Sequence, residues 1–590
     1  MTETEQGRWD LSVLYKGFDD PAFAADITRL EELMAGYRRQ VHEREGLDAA
    51  ALAALLACEE EMWRIGADLQ KFTEMRREAD AGDSQAVDAM GRLKAVFGGI
   101  AGETALVRRW MGELKLTEED WTAYPILADY RFYIQEEAEK GRHLLDAPAE
   151  RLLARMQGCA GSTWTDLRGY LTSFARAPID GEQRTLTELR GLSHHPDRAV
   201  RKAAFEAELV CSRSIEGGMC FALNSIKEQM NLMAELRGYG DIMTMTLAQC
   251  RMQPRTLQAL LEAIEDALPS FHAYLRRKAD LLGWKNGLPW YDLCAGLGEA
   301  GRRFDTTEEV WVYLTELLGA FTPELGRLVD RAFRERWIDF YPRPGKSGGA
   351  FCRNLSNQRQ SRVLTNFSGD LDGVMTIAHE LGHAYHGSLI EDHRPLNRTY
   401  TMPVAETASN FNEILVMDAA LSRAQGAERL HLLEQRLQDD TQIICDIYSR
   451  FLFEMAVFHE RKEGFLLPQR LCELMAGAQT TAYGDGLDPQ CLHPYMWINK
   501  VHYYYTTLSF YNFPYAFGAL LASGLYTRYQ QEGERFAERY RAFLRATTVS
   551  TVEDAAALAG IDVTRRDFWE ESLTAIVQRI DEFLVLTKQR

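Results

Sequence analysis

Apolar residues recur every three or four positions along most of this chain. Leu30, Leu33 and Tyr37, then Leu52, Leu55 and Leu56, mark such stripes between residues 24 and 64. The same spacing runs through 83–115, 147–176, 198–234 and 254–283, and each stretch predicts amphipathic helix. Strand signals are scarce. Gly349 to Arg353 and Arg362 to Phe367, separated by the polar run 354–361, predict one small hairpin. There is no internal repeat. The segment APIDGEQRT at 177–185, followed by SHHPDR at 193–198, is the best candidate boundary. The expected architecture is mainly α, with an N-terminal helical lobe over 1–190 and a second lobe over 191–590.

Charge narrows the partners. The net charge of −19 argues against nucleic acid, whose phosphates require a basic face. None of the ten cysteines forms a CxxC pair, which predicts free thiols in a reducing compartment. The N-terminus is polar and acidic and carries no signal-peptide core. Leu508 to Tyr526 is apolar enough to raise a membrane question. Asn512, Pro514, Ser523 and three tyrosines interrupt it, so it reads as a loop leading into a buried helix. A cytoplasmic protein without a membrane partner is expected.

The candidate chemistry lies in TIAHELGHAYH, residues 376–386. His379 and His383 are four residues apart, so one helix face carries both imidazoles toward one ion. Glu380 lies beside them without being a ligand, placed to act as a base toward a water. Ser368 or Asp370 can cap this helix, and Val374, Ile377, Ala378 and Leu381 give it an apolar side. Gly382 in mid-helix costs about 1 kcal/mol relative to alanine, which points to close approach of another backbone. Catalytic zinc takes three protein ligands and keeps one position open. Leu389 stands where a metzincin would place its third histidine, so a second helix must supply the ligand. VAETASNFNEILVMDAA at 404–420 is that helix, with Pro403 suited to its opening turn. Glu406 is the expected ligand, with Asn410 or Glu413 orienting the histidines; a plain salt bridge is the alternative for Glu413. His386 and His393 lie off the ligand pattern.

These motifs resemble the oligoendopeptidase F and thimet oligopeptidase group of zinc peptidases. HELGHAYH is similar to the family's metal motif, and AETASNFNE to its second metal helix. GRWDLSVLY at 7–15, HPDRAVRKAAFEA at 195–207 and RPGKSGGAFC at 343–352 resemble further family segments, so the likeness spans most of the chain. The resemblance implies a multi-helix, two-lobed body with a deep substrate channel and a small β-sheet beside the zinc site, residues 191–590 forming the catalytic lobe. It implies one Zn2+ per chain and hydrolysis of internal bonds in short peptides by a zinc-activated water, with Glu380 as general base. His502 matches the family's carbonyl-binding histidine. Tyr511 and Tyr515 are the first choices for its tyrosine donors, with Tyr505 as a further substrate contact. Gly349, Ala350 and Phe351 would pair with the extended substrate backbone.

Two other readings remain at this point. A zinc carboxypeptidase on a similar scaffold needs a basic group for the substrate carboxylate, and Arg353, Arg359 and Arg362 lie in the right region. A helical peptide-binding protein with a non-catalytic metal fits less well, because structural zinc sites are usually closed by four Cys or His ligands. Cleavage preference, substrate length and oligomeric state have no sequence signal.

Overall fold

Several of the apolar stripes become helices that open on a residue satisfying their unpaired backbone donors. The computed structural model describes residues 7–297 and 303–588. In α1 (Ala49–Ala79), the Asp48 side chain accepts from the N–H of Ala51; in α2 (Arg198–Leu236), Asp197 does the same for Ala199. Helix α3 (Pro254–Leu281) opens with proline in its first turn, where the missing N–H costs nothing.

The candidate boundary at 177–185 is a hairpin. Strands β1 (Arg176–Ile179) and β2 (Glu182–Thr185) pair antiparallel across Asp180 and Gly181, whose φ values are 51° and 82°. An Asp-Gly pair is the residue choice that such a two-residue turn requires. Ala177 and Ile179 point inward and pack with Ala204, Ala207 and Cys211 of α2.

A second sheet combines β3 (Ile338–Asp339), β4 (Phe351–Leu355) and β5 (Gln360–Leu364) in the order β3-β5-β4. The expected hairpin is present but shifted. Gly349 and Ala350 precede the strand, since Gly349 sits at φ 80° outside the β region, and pairing begins at Phe351↔Leu364. Thr365 and Phe367 donate their backbone N–H groups to the carbonyls of Asp339 and Phe340 instead of to β4. The short β3, parallel to β5, has no pattern of its own to announce it. Strand β4 lies at one edge of this sheet.

The remaining helices build the site. They are α4 (Leu371–Ile390), α5 (Thr407–Arg423), α6 (Ile447–Arg461), α7 (Phe513–Glu532) and α8 (Arg566–Thr587). One large apolar cluster runs from Met219 on α2 to Phe583 on α8 and takes in the buried side of α4. A second, from Tyr15 to Ala138, includes α1. Trp9, Met75, Leu355 and Leu364 form a small joint where α1 meets the sheet, and Lys71 Nζ donates to the Asn354 carbonyl of β4 at 2.5 Å. Among the described residues no helix is long and apolar enough to cross a membrane; α7, which holds most of the suspect stretch, is largely buried. All ten cysteines are free thiols.

Candidate metal centre and active site

Helix α4 starts where Asp370 accepts from the N–H of Gly373 at 2.9 Å. Val374, Ile377, Ala378 and Leu381 face the core with no exposed surface. That orientation turns His379, Glu380 and His383 to the other side. A Cβ on Gly382 would sit 2.5 Å from the Ala408 carbonyl oxygen and 2.6 Å from the Ser409 Cα, so only glycine lets the start of α5 cross there. The crossing sets Glu406, which lies between the short turn Met402–Ala405 and α5. From the opposite side, a Cβ on Gly518 of α7 would lie 3.1 Å from the Glu406 Cβ. Glu406 is therefore approached directly by Gly518, and the residues just after it by Gly382.

Its Oε2 lies 3.3 Å from His379 Nε2 and 3.4 Å from His383 Nε2. The three ligand atoms all fall within 4.8 Å of one another. His379 Nδ1 meets Glu413 Oε1 at 2.7 Å, which fixes the ring and leaves Nε2 for an ion. Ser409 Oγ donates to Glu406 Oε2 at 2.9 Å. Two imidazoles and one carboxylate, converging and braced by a further carboxylate, fit the donor set of catalytic zinc. Glu380 is 5% exposed, and its Oε2 is buried without a hydrogen-bond partner. A buried oxygen of that kind calls for a reason beyond packing. Burial pushes the Glu380 carboxyl up, against the lowering effect of the two imidazoles.

Of the two expected orienting residues, Glu413 touches a histidine. Asn410 donates its backbone N–H to Glu406 O, and among the described residues its side chain bonds to neither histidine. The asparagine that reaches α4 is Asn412, whose Nδ2 donates to the Ala378 carbonyl at 3.0 Å. Asn354 of β4 likewise donates to the His383 carbonyl at 3.3 Å. No sequence signal separates Asn412 from Asn410; only the rotation of α5 against α4 does.

The aromatic segment forms one cluster. His502 lies 4.8 Å from Tyr511, 5.7 Å from Tyr515 and 5.7 Å from Tyr505, ring centre to ring centre. Burial, then the charges of Arg450, Lys500 and Arg168, pushes His502 down to about 4, so its imidazole is neutral at pH 7. Burial raises the Tyr511 and Tyr515 hydroxyls, and both rings also feel the negative charge of Glu406. Tyr515 lies on α7 three residues before Gly518, the residue that approaches Glu406.

His386 is fully buried, stacked on Tyr400 at 4.2 Å, with Nε2 2.9 Å from Thr547 Oγ1. Burial pushes it down to about 3. In the unfolded chain the ring takes up a proton near pH 6.5, and in the folded chain it does not. Its contribution to stability is therefore complete above pH 6.5 and is lost as pH falls toward 3. The expected loss between pH 6.5 and 5 is about 2 kcal/mol. Denaturant midpoints at the two values test this, and His386→Gln should show a smaller drop.

Comparisons with known proteins agree with this architecture. A sequence model of peptidase family M3 matches residues 322–575, and one described as oligopeptidase F matches residues 114–173. An oligoendopeptidase F homolog of Lactococcus lactis subsp. lactis is 24% identical, covering 99% of this chain and 98% of that protein. The oligopeptidase PepF of Bacillus subtilis is 24% identical, covering 97% of this chain and 86% of that protein. The crystal structure of oligoendopeptidase F from Enterococcus faecium superposes with a TM-score of 0.73 at 20% identity, over 96% of this chain and 100% of that one. A structure of PZ peptidase A with an inhibitor superposes with a TM-score of 0.72 at 15% identity, over 94% and 97%. Matched over residues 322–575, which carry the metal motif, over residues 114–173, and by its relatives along nearly its full length, the chain belongs to peptidase family M3, a metallo-oligopeptidase that resembles oligoendopeptidase F.

Proposed function

We propose that this chain is a zinc-dependent endopeptidase that hydrolyses internal bonds of short oligopeptides. The observation that carries the proposal is the convergence of His379, His383 and Glu406 beside the partnerless buried oxygen of Glu380. His379, His383 and Glu406 would hold the zinc, with Glu413 orienting His379. Zinc bound there supplies a Lewis acid that polarises the scissile carbonyl and acidifies a water.

The chain's own residues do the rest. Glu380 accepts a proton from the attacking water and returns it to the leaving amine. His502, neutral at pH 7, donates a hydrogen bond to the developing oxyanion, with Tyr511 or Tyr515 as second donor. The edge strand β4 and the Gly349–Ala350 approach to it bind the extended peptide backbone, with Tyr505 alongside, which accounts for tolerance of many sequences. Each of these residues lies in 191–590, the proposed catalytic lobe. A reducing, cytoplasmic setting belongs to the same proposal and is supported by the ten free thiols.

Of the carboxypeptidase alternative's candidate anchors, Arg362 is committed to the scaffold, whereas Arg353 and Arg359 keep exposed side chains. Arg362 is buried and donates to the carbonyl oxygens of Asp10 and Ser361; Arg353 lies over Phe351 and 3.8 Å from Glu74; Arg359 lies 3.9 Å from Glu391. The test is an internally quenched peptide of about eight residues, blocked at both ends, with and without a chelator. Internal cleavage abolished by chelator and restored by zinc is expected. No cleavage of several such peptides by zinc-loaded protein, with cleavage of free-ended ones, would transfer the proposal to a carboxypeptidase.

A further inference from the structure

Lys227 of α2 and Glu454 of α6 meet deep in the interior. Lys227 Nζ lies 2.6 Å from Glu454 Oε1, and the two side chains are 1% and 0% exposed. Apolar residues of similar size often replace such a pair without loss of stability, so stability alone does not account for it. A second buried pair, Lys278 with Glu434, offers a comparison. Its other bonds go to Tyr274, Gln438 and the Leu293 carbonyl, all of them scaffold.

Glu454 is different. Its Oε1 also accepts the backbone N–H of Phe510 at 3.1 Å, and its Oε2 accepts Asn512 Nδ2 at 2.7 Å. Asn512 Oδ1 in turn accepts the N–H of Phe513, the first residue of α7. One carboxylate thus grips the chain on both sides of Tyr511. Phe510 is fully buried at φ 54°, a conformation that side-chain-bearing residues rarely adopt. It packs on Phe451 and Phe458 of α6 at 5.6 and 5.3 Å. Buried rings and the carboxylate together hold the bend, and the bend turns Tyr511 toward His502. Lys227 Nζ also lies 5.9 Å from the ring of Tyr503, the neighbour of His502.

We propose that Glu454, held in place by Lys227, is a positioning residue that fixes Tyr511 against His502 for the reaction. The inference rests on Tyr511 acting as an oxyanion donor, as read above. A donor displaced by about 1 Å costs on the order of 100-fold in turnover without a matching loss of binding.

The test replaces both charges together, as Lys227→Met/Glu454→Leu, in the zinc-loaded protein. Zinc content should be close to the parent's and the thermal midpoint lower, because the Phe510 N–H and Asn512 Nδ2 lose their acceptor; kcat should fall about 100-fold, and KM should change by less than about threefold. Adding Tyr511→Phe to this variant should cost little more, although Tyr511→Phe alone lowers kcat. The comparison variant Lys278→Met/Glu434→Leu should retain kcat. A kcat near the parent's in Lys227→Met/Glu454→Leu, an equal fall in the comparison variant, or a full additional loss from Tyr511→Phe overturns the inference. Should the double variant fail to fold, Asn512→Ser decides: it keeps a capping hydroxyl but drops the link to Glu454. A lower kcat at unchanged KM supports the inference there, and unchanged kcat overturns it. If Tyr511→Phe alone leaves kcat unchanged, the reading of Tyr511 as a donor fails and takes this inference with it. If only the Glu454 variants are silent, the donor reading stands and the positioning role falls.

Discussion

Glu380→Gln is expected to lower kcat about a thousandfold while the protein keeps its zinc. The amide has nearly the shape of the carboxylate, so packing around this 5% exposed side chain changes little. What it loses is basicity. The Glu380 Oε2 atom has no donor to satisfy it, so a glutamine oxygen or nitrogen there disturbs no existing hydrogen bond. Loss of proton transfer is then separated from loss of structure. The measurement pairs turnover of the quenched peptide with zinc content. Turnover at the parent's rate would end the general-base assignment, and a parallel loss of zinc would make Glu380 a ligand.

Glu406→Ala is expected to weaken zinc binding by more than about 100-fold, beyond the 10–100-fold typical of a residue that merely orients a ligand. Among the described residues, Glu406 is the one carboxylate that approaches both Nε2 atoms, at 3.3 and 3.4 Å. Two imidazoles alone leave the ion without its third protein donor. Competition against a chromophoric chelator measures the change directly. Glu413→Ala should fall in the 10–100-fold range, because Glu413 reaches His379 at Nδ1, the nitrogen turned away from Glu406. If Glu406→Ala keeps stoichiometric zinc and Glu413→Ala loses it, the third ligand is Glu413.

The features legible in the sequence are those set by local periodicity. The four-residue spacing of His379 and His383 needs only a helix to bring two imidazoles together, and Asp370 caps that helix as its residue type predicts. Gly382 announced a close approach before its partner was known, and the partner is the backbone of Ala408 and Ser409. The Asp180–Gly181 hairpin was equally local, yet the polar residues around it read as a boundary. The sheet hairpin was legible in type but displaced by a few residues, because glycine conformation and pairing to Asp339 and Phe340 moved its ends.

By itself, then, the sequence determined the helical class of this protein, the placement of His379 and His383 on one helix face and the carboxylates available near them. Tertiary structure alone decided which polar groups meet. Asn412 reaches α4 where Asn410 does not, Ser409 braces Glu406, and Glu454 holds both flanks of Tyr511 from a helix more than fifty residues earlier in the chain. The physical reason is range: helix period and capping act over a few residues, whereas the rotation of one packed helix against another is set by the whole core and selects among side chains of the same type.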